Sequence, residues 1–228
     1  MSCQELTPDS ARTLPIRTGF HGTPTPALLP WIVGGLALAA LAALSGSIAA
    51  DVDQMRFFFD ENGPIEILQA VCLALTAVIF AVAFLRSSGA RALYCVAAFG
   101  AIVTATTRET PRCSSAFYDG GMCLTSTGKD WIVVLGAVLC LAALVWRRLN
   151  WRKVLHPVAL RWVWPSFGVM AMLAGAEVAE HVVWMAMEES LELAAYLYLA
   201  AFALWFLYHS RQAPVAREAV PGSLTPPR

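Results

Sequence analysis

The chain has 228 residues, of which 58% are hydrophobic and only 14% charged, and its 16 Lys and Arg balance its 16 Asp and Glu. An ordinary soluble domain is about 45–50% apolar and about 25% charged, so this composition belongs to a membrane protein. A net charge of zero excludes the basic footprint of a nucleic-acid binder. The partner implied by the apolar excess is the lipid bilayer, and nothing in the composition identifies a protein partner.

Six apolar runs are long enough to cross a hydrocarbon core about 30 Å thick as helices. They cover residues 28–50, 65–85, 92–107, 131–146, 162–184 and 189–208. Lipid offers the backbone no hydrogen-bond partners, and the alternation of a membrane barrel is missing. The fold class is therefore all-α, a polytopic six-transmembrane-helix bundle over residues 28–209. The Pro-containing ends, 1–27 and 210–228, read as disordered tails. Ser47-Ile48-Ala49 resembles a signal-peptidase site, but a long polar segment precedes the run, which reads as an uncleaved span. The last two runs are nearly continuous, which predicts a tight hairpin turn near residues 186–190.

Orientation follows from Lys and Arg. Arg86 and Arg91 sit between runs two and three. Arg147, Arg148, Arg152, Lys153 and Arg161 sit between four and five. Arg12, Arg17, Arg211 and Arg217 lie in the tails. With six spans all four segments share one side, which places both termini in the cytoplasm of a bacterial inner membrane. The loop between runs three and four, RETPRCSSAFYDGGMCLTSTGKD, then faces an oxidising compartment, where disulfides persist. A Cys113–Cys123 bridge is expected there, closing a lid-like loop. Phe57-Phe58-Phe59 and the tryptophans at span ends read as interfacial anchors.

The chemistry-bearing residues gather toward the outward side. In AGAEVAEHVVWMAMEESLELAAY, Glu177, Glu180 and His181 precede Glu188, Glu189 and Glu192. With an exit near Met187, Glu177 would lie about 15 Å deep at the helical rise. Helical spacing puts Glu177, Glu180, His181 and Trp184 on one face, Glu189, Glu192 and Tyr196 on another, and Glu66 and Gln69 on a third. Arg108 and Glu109 end the third run, and Asp130 begins the fourth. Charges cost about 2.5–3.5 kcal/mol each at mid-bilayer on insertion scales, so these faces should turn inward to one polar cavity. Glu66, Asp130 and Glu189 also suit helix N-termini without any function. Arg108 serves equally well as a counter-ion to a glutamate.

Three functions fit. Glu177, Glu180 and His181, joined by Glu192 or Glu66, could bind a cation. A divalent metal there would polarise a lipid headgroup and make the chain a metal-dependent enzyme, although E-x-x-E-H matches no ligand signature. Chains of carboxylate and histidine also mark proton relays. Finally, buried Glu–Arg and Glu–His pairs could fix helix register in a non-catalytic accessory subunit. Bis-histidine haem ligation is disfavoured by the placement of the four histidines, no CxxC supports thiol redox chemistry, and no GxSxG or Ser–His–Asp layout supports serine hydrolysis. Glu188-Glu189 opens like the EExxxR of membrane-embedded proteases, but position 193 is Leu.

The run ENGPIEILQA, the Arg108-Glu109 pair and EESLELAAYLYL resemble segments of a group of small uncharacterised bacterial multi-pass membrane proteins. In these, an acidic-Gly-x-Ile-Glu segment opens one span and a Glu-Glu-x-x-Glu segment opens another. The resemblance implies that Glu66, Glu109, Glu189 and Glu192 belong to one scheme, and it carries no activity across.

Overall fold

The structure is a computed structural model that describes residues 25–51, 56–59, 63–114, 123–147, 161–182 and 184–210. Both predicted tails lie outside these residues almost entirely, as does most of the basic loop between the fourth and fifth spans. Seven helices follow in order: α1 (Leu28–Asp51), α2 (Arg56–Phe59), α3 (Pro64–Arg86), α4 (Ala90–Glu109), α5 (Ser126–Arg147), α6 (Pro165–His181) and α7 (Met185–Ser210). All except the single turn α2 belong to segments long and apolar enough to cross a membrane. The predicted all-α six-helix architecture is the observed one.

Helix α7 is the axis of the bundle. It packs against α1, α3 and α6, while α4 lies on α3 and α5 lies on α4. Half of the most apolar window of α7 is buried, against 6% for α1 and α5. The rest of those two helices is a lipid-facing surface of Leu, Val, Ile and Trp. Apolar burial drives little association between helices already in lipid, so close backbone approach matters more. At Gly46 of α1 a Cβ would fall 2.6 Å from Met187 Cα and 2.8 Å from Ala186 O. Only glycine lets α1 reach the start of α7.

Local signals explain the helix ends. Gly63 precedes Pro64 at the start of α3, with Glu66 in the first turn, where a fixed φ and a carboxylate both suit the N-terminus. Gly89, at φ +58°, turns the chain from α3 into α4. Thr125 Oγ1 accepts the Gly128 N–H at 3.0 Å and caps α5. Helix α5 therefore begins at Ser126, and Asp130 sits exposed in its second turn instead of at its start.

The hairpin between the last two spans differs from expectation. Helix α6 ends at His181 and α7 begins at Met185, so the break falls between them and residues 186–190 are helical. The N–H groups of Val182 and Trp184 both donate to Ala179 O, at 3.2 and 3.0 Å, and those of Met187 and Glu188 already donate to Trp184 O. The physical reason is propensity. Met185-Ala186-Met187-Glu188-Glu189 consists of strong helix formers, whereas Val182-Val183 is a β-branched pair that loses rotamer freedom in a helix. Glu177 consequently lies four residues, about 6 Å, from the end of α6.

Beyond the end of α4, the Cys113–Cys123 disulfide joins the two sides of the loop, with Cα atoms 5.0 Å apart. Beside it Leu124 N donates to Pro111 O at 2.8 Å and Cys113 N to Leu124 O at 3.1 Å. Residues 115–122, the body of the proposed lid, lie outside the described residues.

Candidate functional site: a polar cluster on the central helix

The starts of α3, α5 and α7 meet the end of α4, and a polar cluster forms there. Helix α7 presents Glu189, Glu192 and Tyr196 at i, i+3 and i+7, one stripe that faces α3 and α4. Each carboxyl meets a different partner. Arg108 Nη2 lies 2.9 Å from Glu192 Oε1, and Arg108 Nε lies 3.9 Å from Glu109 Oε1. Tyr196 donates its hydroxyl to Glu109 Oε1 at 2.8 Å. Gln69 Nε2 donates to both the backbone oxygen and Oε2 of Glu189, each at 2.9 Å. Gln69 is fully buried, Glu192 and Glu109 nearly so. The Arg108 side chain stays 59% exposed, so the cluster meets its surroundings through the guanidinium.

Around this core stands an electrostatic rim. Glu66 interacts with Lys129 and with Glu189, and Lys129 also interacts with Glu109. Glu180 interacts with Arg108 and Glu188. The four glutamates grouped by the resemblance, Glu66, Glu109, Glu189 and Glu192, thus lie within electrostatic reach of one another through Glu189.

The other candidates separate from this core. His181 donates Nδ1 to Glu177 O at 2.8 Å within its own turn, and its Nδ1 is 3.9 Å from Glu177 Oε1. Both side chains are mostly exposed, and Glu180 is exposed as well. Among the described residues, no three His, Cys, Asp or Glu side chains converge in a way that could hold a metal ion. Glu177, Glu180 and His181 stand near one another at the end of α6, apart from the carboxylates on α7. Asp130 stands outside the cluster, whereas its neighbour Lys129, which the sequence reading passed over, belongs to the rim. The signal was available: Lys129 is the one lysine between the disulfide loop and the fourth apolar run.

A cavity of about 430 Å³ opens elsewhere, between α1, α6 and α7, lined by Trp31, Gly35, Trp164, Gly168, Leu191 and Tyr198 among others. It is apolar, and none of the carboxylates lines it. Comparisons with protein-family models, curated proteins and solved structures return no match.

Proposed function

We propose that this integral membrane protein binds a cation at the carboxylate cluster around Glu189 and Glu192. We place it in a bacterial inner membrane, with both termini in the cytoplasm and the cluster open to the periplasmic side. Arg86, Arg91, Arg147 and Arg161 support that orientation, since they lie at the helix ends opposite those that carry the cluster. The observation that carries the function is the charge count. Among the described residues one cation, Arg108, directly contacts this trio of Glu109, Glu189 and Glu192, and it reaches Glu192 and Glu109 but not Glu189. Burying carboxylates without matching positive charge is costly, and a bound cation removes the excess. The resemblance of the span-start segments fits this reading, because its four glutamates are the ones that interact.

A second reading has its own support. Gln69–Glu189 ties α3 to α7, and Arg108–Glu192 and Tyr196–Glu109 tie α4 to α7. Three such ties on one helix suit a purely structural register lock. Thermal unfolding of the purified protein in Na⁺, K⁺, Mg²⁺, Mn²⁺ and Zn²⁺, and as a function of pH, separates the two. Cation binding predicts stabilisation that Glu189→Gln and Glu192→Gln remove. Indifference to every cation and to pH leaves the register lock. Elemental mass spectrometry of the same preparation, beside Glu177→Ala, Glu180→Ala and His181→Ala, tests the metal alternative and with it hydrolysis of a lipid headgroup.

A further inference from the structure

Resting on the cation-site reading, we propose that the cation is a proton, and that Glu189 is the carboxyl that binds it exchangeably. The inference starts from partners. Glu192 has the Arg108 guanidinium at 2.9 Å, and Glu109 has the Tyr196 hydroxyl with Arg108 beyond it. Among the described residues, Glu189 has only the neutral amide of Gln69. A proton goes to the carboxyl with the least compensation, and that is Glu189.

The Gln69 side chain is a second, independent observation. It is 0% exposed, both Nε2 contacts go to Glu189, and its Oε1 has no hydrogen-bond partner. A buried amide oxygen left without a donor costs about 1–3 kcal/mol. The cluster is short of donors as well as of positive charge. Each carboxyl oxygen set receives one short hydrogen bond: from Arg108, from Tyr196 or from Gln69. An ionised carboxylate accepts only, while a protonated one also donates. One proton therefore reduces both deficits in a single step, and it needs no cavity of metal size. This agrees with the lack of a three-ligand cluster among the described residues.

Among the described side chains the surroundings favour the same group; α2 also packs against α3 and α7, and its Arg56 side chain lies outside the described residues. Helix α3 contributes Glu66, and α4 contributes Glu109. On α7 itself, Glu188 and Glu192 are near, and Glu192 keeps its own cation. Helix α5 offers Lys129, which acts on Glu66 and Glu109. From α6, Glu177 and Glu180 act on Glu188. Asp51, at the end of α1, is exposed. The described neighbours of Glu189 are thus mainly carboxylates. Proton release would place a second full charge against them, setting repulsion from Glu66 on α3 and Glu109 on α4 against a Gln69 amide bond that is stronger to a carboxylate. Proton occupancy in this way couples to helix packing.

The test is infrared difference spectroscopy of the purified protein through a pH titration, with a parallel thermal-unfolding series in added Na⁺ and Zn²⁺. The expected result is a carboxylic-acid C=O band at neutral pH that disappears on alkalinisation. It should be missing from Glu189→Gln and retained in Asp51→Asn. Should Glu189→Gln fail to fold, Gln69→Met serves instead, and the band should shift because the acid loses its amide neighbour. A band that persists in Glu189→Gln, or stays unmoved in Gln69→Met, puts the proton elsewhere and overturns the inference. Without any such band, stabilisation by Na⁺ or Zn²⁺ would overturn the proton while leaving the cation site standing. Failure of both series would remove both readings.

Discussion

Helix α7 has two ends that are held in opposite ways. At its start, Glu189, Glu192 and Tyr196 engage neighbours through a few directed polar contacts. At its end, Phe202 and Phe206 are fully buried among Trp31, Phe80, Tyr94, Trp162 and Trp205, at ring separations of 5.0–6.4 Å. Residues 189 and 202 are about 20 Å apart along the axis. The aromatic end gains from many weak contacts that tolerate small shifts. The polar end depends on a few groups, and each becomes a liability when its partner leaves. This difference suits a bundle with one fixed end and one responsive end.

The largest expected effect comes from breaking the fixed end. Phe202→Ala removes a side chain that contacts four aromatic rings. In water the cavity and transfer terms would total about 3–5 kcal/mol. In a bilayer the reference state is already apolar, so the loss should be about 2–4 kcal/mol. Thermal or denaturant unfolding in detergent measures it. A loss under about 1 kcal/mol would mean that the aromatic end is not the anchor.

Next comes the polar end. Arg108→Ala leaves Glu192 buried without its cation. Breaking a buried pair costs about 3–5 kcal/mol, but Arg108 is largely exposed, and screening reduces the expectation to about 1–3 kcal/mol. Adding Glu192→Gln should restore much of that loss, because the orphaned charge goes with it. If the double variant is no more stable than Arg108→Ala, the two groups are not coupled.

Gly46→Ala acts at the same end through the backbone. The new Cβ meets Ala186 and Met187 main-chain atoms, which cannot rotate away. Displacing α1 from α7 should cost about 1–3 kcal/mol. The cation response should weaken with it, since Ala186 and Met187 open the helix that carries Glu189. Gly34→Ala, where a Cβ meets nothing within 4 Å, is the matched control and should be close to neutral.

The fold was legible because the bilayer imposes it: length and hydropathy alone mark six helices, and the even count agrees with the charge bias. The disulfide was legible from the same topology. The site was legible in part. Glu189, Glu192, Tyr196, Gln69, Arg108 and Glu109 follow from helical spacing once the helix ends are right. Glu177, Glu180 and His181 sit at exposed positions near the end of α6, which comes earlier than the apolar run marks. Hydropathy runs straight through Val182-Val183-Trp184, and only the balance between β-branched residues and the strong formers after them locates the break. Moving that end from about Met187 to His181 is a shift of six residues, about 9 Å along the helix. The pairing of Gln69 with Glu189 could not be read at all, since spacing places residues on faces but does not say which face meets which.

The smallest effect is the most discriminating. Tyr196→Phe deletes one oxygen and leaves the ring in place. Glu109 loses its 2.8 Å donor while Arg108 stays within 3.9 Å. The stability cost should be about 0.5–1.5 kcal/mol, the usual size for one hydrogen bond. Under a structural lock the effect ends there. Under proton binding it does not. Glu109 then draws more on Arg108, Glu192 is left with less compensation, and a second carboxyl competes with Glu189 for the proton. The pH dependence of unfolding should broaden in Tyr196→Phe while its midpoint at neutral pH moves little. An unchanged profile would confine Tyr196 to packing and detach α4 from the responsive end of the bundle.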